Sequence, residues 1–230
     1  MTNLVSPDPF LMRPGDRLSL EEFLERWRQM PELKSAELID GVVYMPSPVS
    51  LQHMRQDGRF FGLCASYCFH TPGVECGING TWLMTSTSAP QPDCSVWVVP
   101  QYGGRLKVKD TLASGVPELA AETCYSSRAY DLGPKLALYQ SAGVNEYVAV
   151  LVEERRIEWR ILVDGSYQLL PDDAGIYRSK ILPGLWVDSN AFWNEDSTAL
   201  LRTLEQGLAS AEHAEFVQKL NAAAANNQTL

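Results

Sequence analysis

Three residues of this chain have types and spacing that could do chemistry together. Asp93 follows a proline and precedes the apolar run Cys94-Ser-Val-Trp-Val-Val99. Glu122 interrupts a second apolar run, Leu119-Ala-Ala-Glu-Thr-Cys124, and Lys135 follows on a segment with helical spacing. A carboxylate at the mouth of a buried strand is costly to desolvate unless something pairs with it. Successive strands are often spatial neighbours. Two strand-borne carboxylates could therefore share a Mg²⁺ ion, a hard cation that takes oxygen ligands and keeps several waters. Such an ion lowers the pKa of a bound water and offsets charge on a phosphodiester. A lysine beside it could orient the nucleophile or stabilise the transition state. The same spacing also fits a surface aspartate and a buried glutamate paired with arginine or lysine, so both readings stay open.

These residues need elements to hold them. Residues 18–28 read as a first helix, with Ser19 and Glu22 in a capping-box relation and Leu20, Phe23, Leu24 and Trp27 on one face. Residues 36–45 read as a hairpin around Asp40-Gly41, because a type I′ turn needs positive φ at both central positions. An isolated glutamate in such a strand, Glu37, is expected on the solvent face. Residues 50–69 read as a second helix, in which Gly58 and Gly62 could admit a closely packed element and His53 falls in the first turn as a surface or capping residue. Residues 74–84 and 93–99 read as two strands, and 118–124 as a central strand buried on both faces. The loop 102–109 carries Arg105, Lys107 and Lys109, a solvated segment or a phosphate contact.

Residues 128–141 read as an amphipathic helix stopped by Gly143, with Asp131 and Lys135 as an acid-first i,i+4 surface pair. A strand at 144–152, a hairpin at 156–170 around Asp164-Gly165 and a last strand at 180–187 follow. Residues 196–220 read as one long terminal helix, and the tail 221–230 is expected to fray. The order predicts a mixed α/β or α+β sheet with flanking helices, a main domain at 1–194 and an added C-terminal helix and tail at 195–230.

With 230 residues, 45% apolar and 20% charged, the chain can bury a sizeable core. The formal net charge of −9 argues against a non-specific nucleic-acid coat, but leaves room for an enzyme whose metal supplies local positive charge. Five cysteines, Cys64, Cys68, Cys76, Cys94 and Cys124, fit buried free thiols better than a zinc site, which would need further ligands at suitable spacing. The first residues carry neither a basic start nor an apolar stretch, and no run approaches the roughly 20 apolar residues of a membrane span. A soluble, cytoplasmic protein is expected.

A series of short motifs occurs in order: Glu37-Leu-Ile-Asp-Gly41, Pro46-Ser-Pro48 with His53, Pro92-Asp93, Glu122 with Ser126-Ser127, Lys135-Leu-Ala-Leu-Tyr-Gln-Ser-Ala-Gly143 with Glu146-Tyr147, and Ile181-Leu-Pro-Gly-Leu185. In register, the series resembles the Uma-type restriction endonuclease family, a bacterial branch of the PD-(D/E)XK nuclease superfamily, across residues 18–194. The resemblance implies a restriction-endonuclease-like core and Mg²⁺- or Mn²⁺-dependent hydrolysis of DNA. It implies Asp93 and Glu122 as metal-binding acids and Lys135 as the lysine that this branch carries on the helix. In the common superfamily pattern that lysine stands two residues after the second acid, where this chain has Cys124. Glu37 resembles an additional acidic residue of the site, and His53 falls within one of the matched motifs.

The chain also departs from the family pattern. The family's Val-Leu-Ser-Pro-Ser run is Thr123-Cys-Tyr-Ser-Ser127 here, so Tyr125 would narrow access if its ring points into the site. The family's Tyr-Trp is Tyr147-Val148. A homodimer would suit scission of both strands of a duplex. Besides a nuclease, the features fit a degenerate nuclease fold serving as a binding or regulatory module. A glycosidase with paired carboxylates has only the two acids in its favour.

Overall fold

In the computed structural model, residues 11–46 and 48–227 are described; Ser47 of the Pro46-Ser-Pro48 motif and the ends 1–10 and 228–230 lie outside them. Helix α1 (Leu20–Arg28) starts where its cap dictates. The Ser19 hydroxyl accepts from the Glu22 N–H at 3.2 Å, and the Glu22 carboxylate accepts from the Ser19 N–H at 3.0 Å. Phe23 is its buried anchor, in a cluster with Leu18, Leu38 and Val43. Strands β1 (Glu37–Ile39) and β2 (Val42–Tyr44) form the expected hairpin, with φ of +48° at Asp40 and +77° at Gly41. Leu38 exchanges main-chain hydrogen bonds with Ala89, which docks the hairpin against the segment leading to Asp93.

Helix α2 (Leu51–Phe69) buries Phe60, Leu63, Cys64 and Tyr67. The expected strand at 74–84 is two strands. β3 (Val74–Gly77) ends at a turn through Asn79, whose φ is +52°, and β4 (Trp82–Leu83) departs into another sheet. Strand β5 (Cys94–Val98) follows Asp93. The loop expected at 102–109 contains a strand, β6 (Lys107–Lys109), which pairs with β7 (Leu112–Ser114). Strand β8 (Leu119–Cys124) is buried at every residue, as its apolar run requires.

The helix expected at 128–141 is interrupted. α3 (Arg128–Tyr130) runs into a π-helical turn, Asp131–Lys135, and then into α4 (Leu136–Ala142). Pro134 is the physical cause: it has no N–H to give the turn before it, and its ring crowds the carbonyl four residues back. The helix answers by widening, and the Leu136 N–H reaches the Asp131 carbonyl five residues back. Gly143 stops α4 at a φ of +86°.

Strands β9 (Glu146–Leu151), β10 (Arg156–Val163) and β11 (Ser166–Leu169) complete the main sheet, whose order is β11-β10-β9-β8-β5-β3. Among the described strands of this sheet only β8 and β9 pair in parallel; in the small sheet β4 and β7 do so too. β4, β7 and β6 form a small sheet, and β12 (Ile176–Arg178) pairs with β13 (Trp186–Asp188). The strand expected at 180–187 is therefore extended only at its end, because Gly184, at φ +95°, turns the chain after Pro183. After the short α5 (Ser189–Trp193), the single terminal helix expected at 196–220 is two: α6 (Ser197–Leu208) and α7 (Ala211–Asn227). The tail is helical through Asn227 rather than frayed. Leu200, Leu204 and Leu220 bury into the same core as α2 and the sheet. All five cysteines are free; Cys64, Cys94 and Cys124 are buried, and Cys68 and Cys76 half-buried. Among the described residues no helix is long and apolar enough to cross a membrane.

Candidate active site

The register of the sheet brings the two acids together. Cys94 pairs with Ala121 in the antiparallel β5–β8 ladder, and continuing one residue outward sets Asp93 across from Glu122. β5 begins only at Cys94. The Asp93 carboxylate therefore closes the ladder itself: its Oδ2 accepts from the Thr123 N–H at 2.8 Å. The same oxygen lies 3.5 Å from Nε2 of His53, in the first turn of α2.

Glu122 meets the helix that follows β8. Lys135 Nζ lies 2.9 Å from Glu122 Oε1 and 2.9 Å from Glu37 Oε1. One turn on, the Tyr139 hydroxyl donates to Glu122 Oε1 at 2.6 Å. The π-turn puts both Asp131 and Lys135 inside, so the expected i,i+4 surface pair is buried. Asp131 accepts from the Ser127 hydroxyl at 2.5 Å. Glu37, expected on the solvent face, is instead 12% exposed in its side chain. Its carboxylate also accepts from the Gln91 N–H at 2.6 Å and the Tyr130 hydroxyl at 3.4 Å.

Asp93, Glu122, Lys135, Glu37 and His53 thus meet in one cleft, and Tyr125 stands in its lining. The cleft holds about 540 Å³. A smaller cavity, about 270 Å³, is lined mainly by apolar residues of α1 and the small sheet, including Leu24, Trp27 and Leu112. Arg105 is not in the acid cleft: it is spent on Glu118 at 3.3 Å and Asn145 at 2.5 Å, so it is no phosphate contact there. Asp57 and Tyr139 are neighbours of the site that residue types and spacing did not single out, and Asp131, expected on the surface with Lys135, is a third. Tyr139 reads in sequence as one more apolar helix position, and only the buried partner across from it reveals the hydroxyl's use.

Four carboxylates, Glu37, Asp93, Glu122 and Asp131, crowd one ammonium. Burial pulls the Lys135 pKa down, but the combined charge of Glu122, Glu37, Asp131 and Asp93 overrides it and holds Lys135 well above its usual value. Burial drives Glu122 well above the carboxylate range, against the pull of Lys135, and Asp93 adds to the rise. Burial likewise pushes Asp131 up to about 6, and Asp57 to about 6 with help from the Asp93 charge. Asp93 is the exception. Burial raises it, but the His53 contact, the Lys135 charge and the Thr123 N–H together hold it below its ordinary value. His53 is raised by its contact with Asp93.

The contacts to Glu122 fall on Oε1, and those to Asp93 on Oδ2. Glu122 Oε2 and Asp93 Oδ1 accept no protein hydrogen bond among the described residues. Hard oxygen donors from two carboxylates suit Mg²⁺, which takes one or two such groups and fills its shell with water. Among the described residues no three His, Cys, Asp or Glu side chains converge on a point where they alone could hold an ion. Two carboxylates alone would leave most of such an ion's shell to water.

A mixed sheet flanked by helices, with two acids at the end of neighbouring strands and a lysine reaching in from a helix, has a nuclease-type architecture. The crystal structure of a putative nuclease belonging to DUF820 from Anabaena variabilis ATCC 29413 is similar in fold, with a TM-score of 0.60. That match covers 77% of this chain and 98% of that one at 10% identity. Residues 20–190 match the family Uma2, described as "Putative restriction endonuclease", and the chain belongs to that family. None of the curated proteins matches the chain.

Proposed function

We propose that this protein is a Mg²⁺- or Mn²⁺-dependent endonuclease that hydrolyses DNA phosphodiester bonds. The observation that carries the reading is the Lys135 ammonium held between Glu37 and Glu122, beside an Asp93 whose outer oxygen is uncommitted. Family membership supports the same class of activity. Asp93 and Glu122 would hold the ion. When bound, Mg²⁺ supplies an acidified water and neutralises charge on the phosphate.

The chain's own residues do the rest. Thr123 and His53 fix the Asp93 carboxylate and keep it ionised. Tyr139 fixes Glu122 from the helix side. Lys135 stays protonated because acids surround it, so it would donate rather than accept protons, orienting the attacking oxygen and stabilising charge on the phosphate. Glu37 holds that ammonium in place from the hairpin. Asp93→Ala is expected to abolish Mg²⁺-dependent nicking of plasmid DNA while the circular dichroism spectrum stays native. Equal nicking by the two proteins would overturn the assignment, and no cleavage of plasmid or of single-stranded circular DNA by either would favour a binding module.

A further inference from the structure

The cleft is poorly equipped to hold a polyanion by charge. Among its described lining residues the cations besides His53 are Lys34 and Lys135, and Lys135 is already shared between two carboxylates. Binding of duplex DNA draws most of its strength from neutralised phosphates. One uncommitted lysine cannot supply that in the cleft. What the cleft does offer is aromatic and apolar surface. Tyr44 and Tyr130 pack on each other with ring centroids 4.2 Å apart, and Tyr130 is further occupied by Lys135 and Glu37. Tyr125 is different. It is half-buried, lines the cleft three residues beyond Glu122, and has no hydrogen bond or ring contact among the described residues. The exposed Val49 faces the same cleft.

A free aromatic face beside a phosphate site can stack a base, and every base has such a face. A base inside a duplex keeps both faces stacked on its neighbours, so along a strand the contact is open to unpaired bases and not to the duplex interior. We propose that Tyr125 is the stacking platform for a base next to the scissile phosphate, and that the cleft takes single-stranded DNA in preference to duplex. Tyr125 is then a specificity-determining residue: it does not obstruct the site but selects its substrate class.

The inference rests on the nuclease reading of the cleft, and the test separates the two. An oligonucleotide carrying 2-aminopurine is titrated with the full-length protein, with Ca²⁺ in place of Mg²⁺ and the strand checked to be intact. Wild type and Tyr125→Phe are expected to quench the probe and to bind the single strand at least about fivefold more tightly than the matching blunt duplex, the low end for one base–aromatic stack. Tyr125→Ser is expected to lose the quench and the preference. Equal binding of strand and duplex by wild type, no binding of the strand, or an unchanged quench in Tyr125→Ser would each overturn the proposal. Wild type and Asp93→Ala compared in parallel on single-stranded circular DNA report on the nuclease reading alone. Cleavage that is lost or retained there leaves the Tyr125 comparison unaffected.

Discussion

Replacing Lys135 with methionine tests the electrostatics of the site with little change of volume. The side chain is 5% exposed, and its ammonium lies 2.9 Å from carboxylate oxygens of both Glu37 and Glu122. Removing one partner of a buried ion pair typically costs about 3–5 kcal/mol, because the other charge is left uncompensated. That full cost applies only while Glu122 stays ionised. Burial already holds its pKa well above the usual range, against the pull of Lys135, and without the lysine it rises further. The variant can escape the penalty by keeping a proton on Glu122. A carboxyl with a raised folded pKa binds more protons folded than unfolded, so this contribution to stability falls as pH climbs from the unfolded value through the folded one. The wild type carries the same cost wherever its own Glu122 keeps the proton, so the variant's extra penalty opens as pH passes the wild-type Glu122 pKa and grows at about 1.4 kcal/mol per unit beyond it.

The expected outcome is a Lys135→Met destabilisation that is small at pH 5 and larger at pH 8, bounded by the cost of a broken buried pair, about 3–5 kcal/mol. Urea unfolding of both proteins at the two pH values measures it. A penalty equal at both pH values would show that Glu122 does not exchange its partner for a proton, and the coupling argued from the geometry would be wrong. The same variant should lower turnover by about 10²–10³, the range for one lost electrostatic stabiliser, while Mg²⁺ affinity changes less. Calorimetry showing metal binding lost instead would refute the role given to the lysine.

Two further outcomes are expected. Mg²⁺ at about 100 times its dissociation constant should stabilise the wild type by about 2.7 kcal/mol, a shift of about 5–10 °C in Tm for a chain of this size, and Asp93→Ala should show almost none; a wild-type Tm indifferent to Mg²⁺ would refute the ion site. Asp57, raised to about 6 chiefly by burial and then by Asp93, lowers the stability of the fold progressively as pH climbs from about 4, with the full loss reached above about 6, since its folded form holds its proton more tightly than the unfolded chain does. Asp57→Asn should therefore stabilise the protein by about 1–3 kcal/mol at pH 8 and leave it unchanged at pH 4, as read by urea midpoints, and a variant no more stable at pH 8 would refute the burial argument.

Local chemistry made much of this fold legible. The Ser19–Glu22 cap and the turns at Asp40-Gly41 and Asp164-Gly165 depend on backbone needs that only a few residue types meet, and the φ values of +48° and +77°, and of +49° and +79°, follow. The buried β8 and β9 were legible because their apolar runs are nearly unbroken. Two of the misread segments share one cause. At 74–84 and 180–187 a few apolar residues on either side of a turn look like one strand, and only tertiary pairing decides which part extends. The terminal helix divides at Ala209–Ser210, where its propensity shows no strong break.

The candidate site was legible as residues that meet in one cleft and not as an arrangement. Asp131 illustrates the gap: on a regular helix an acid-first i,i+4 pair lies on the surface, and that expectation failed because Pro134 widens the turn. The consequence reaches the chemistry. Strand alternation places Cys124 on the same face of β8 as Glu122, the position from which a lysine two residues after the acid would reach the site. Here Cys124 lies in an apolar cluster with Tyr139, Val144 and Tyr147, so no charged head could be accommodated there without dismantling it. The ammonium arrives from across the interface, carried by a turn that Pro134 has opened. It meets the same Glu122 carboxylate and gains Glu37 as a second anchor. Glu37 depends on the Asp40-Gly41 hairpin, which the Leu38–Ala89 bonds hold against the Asp93 segment. Moving the lysine off the strand thus makes the position of its charge depend on both the hairpin and the π-turn, two elements far apart in sequence that a strand-borne lysine would not need.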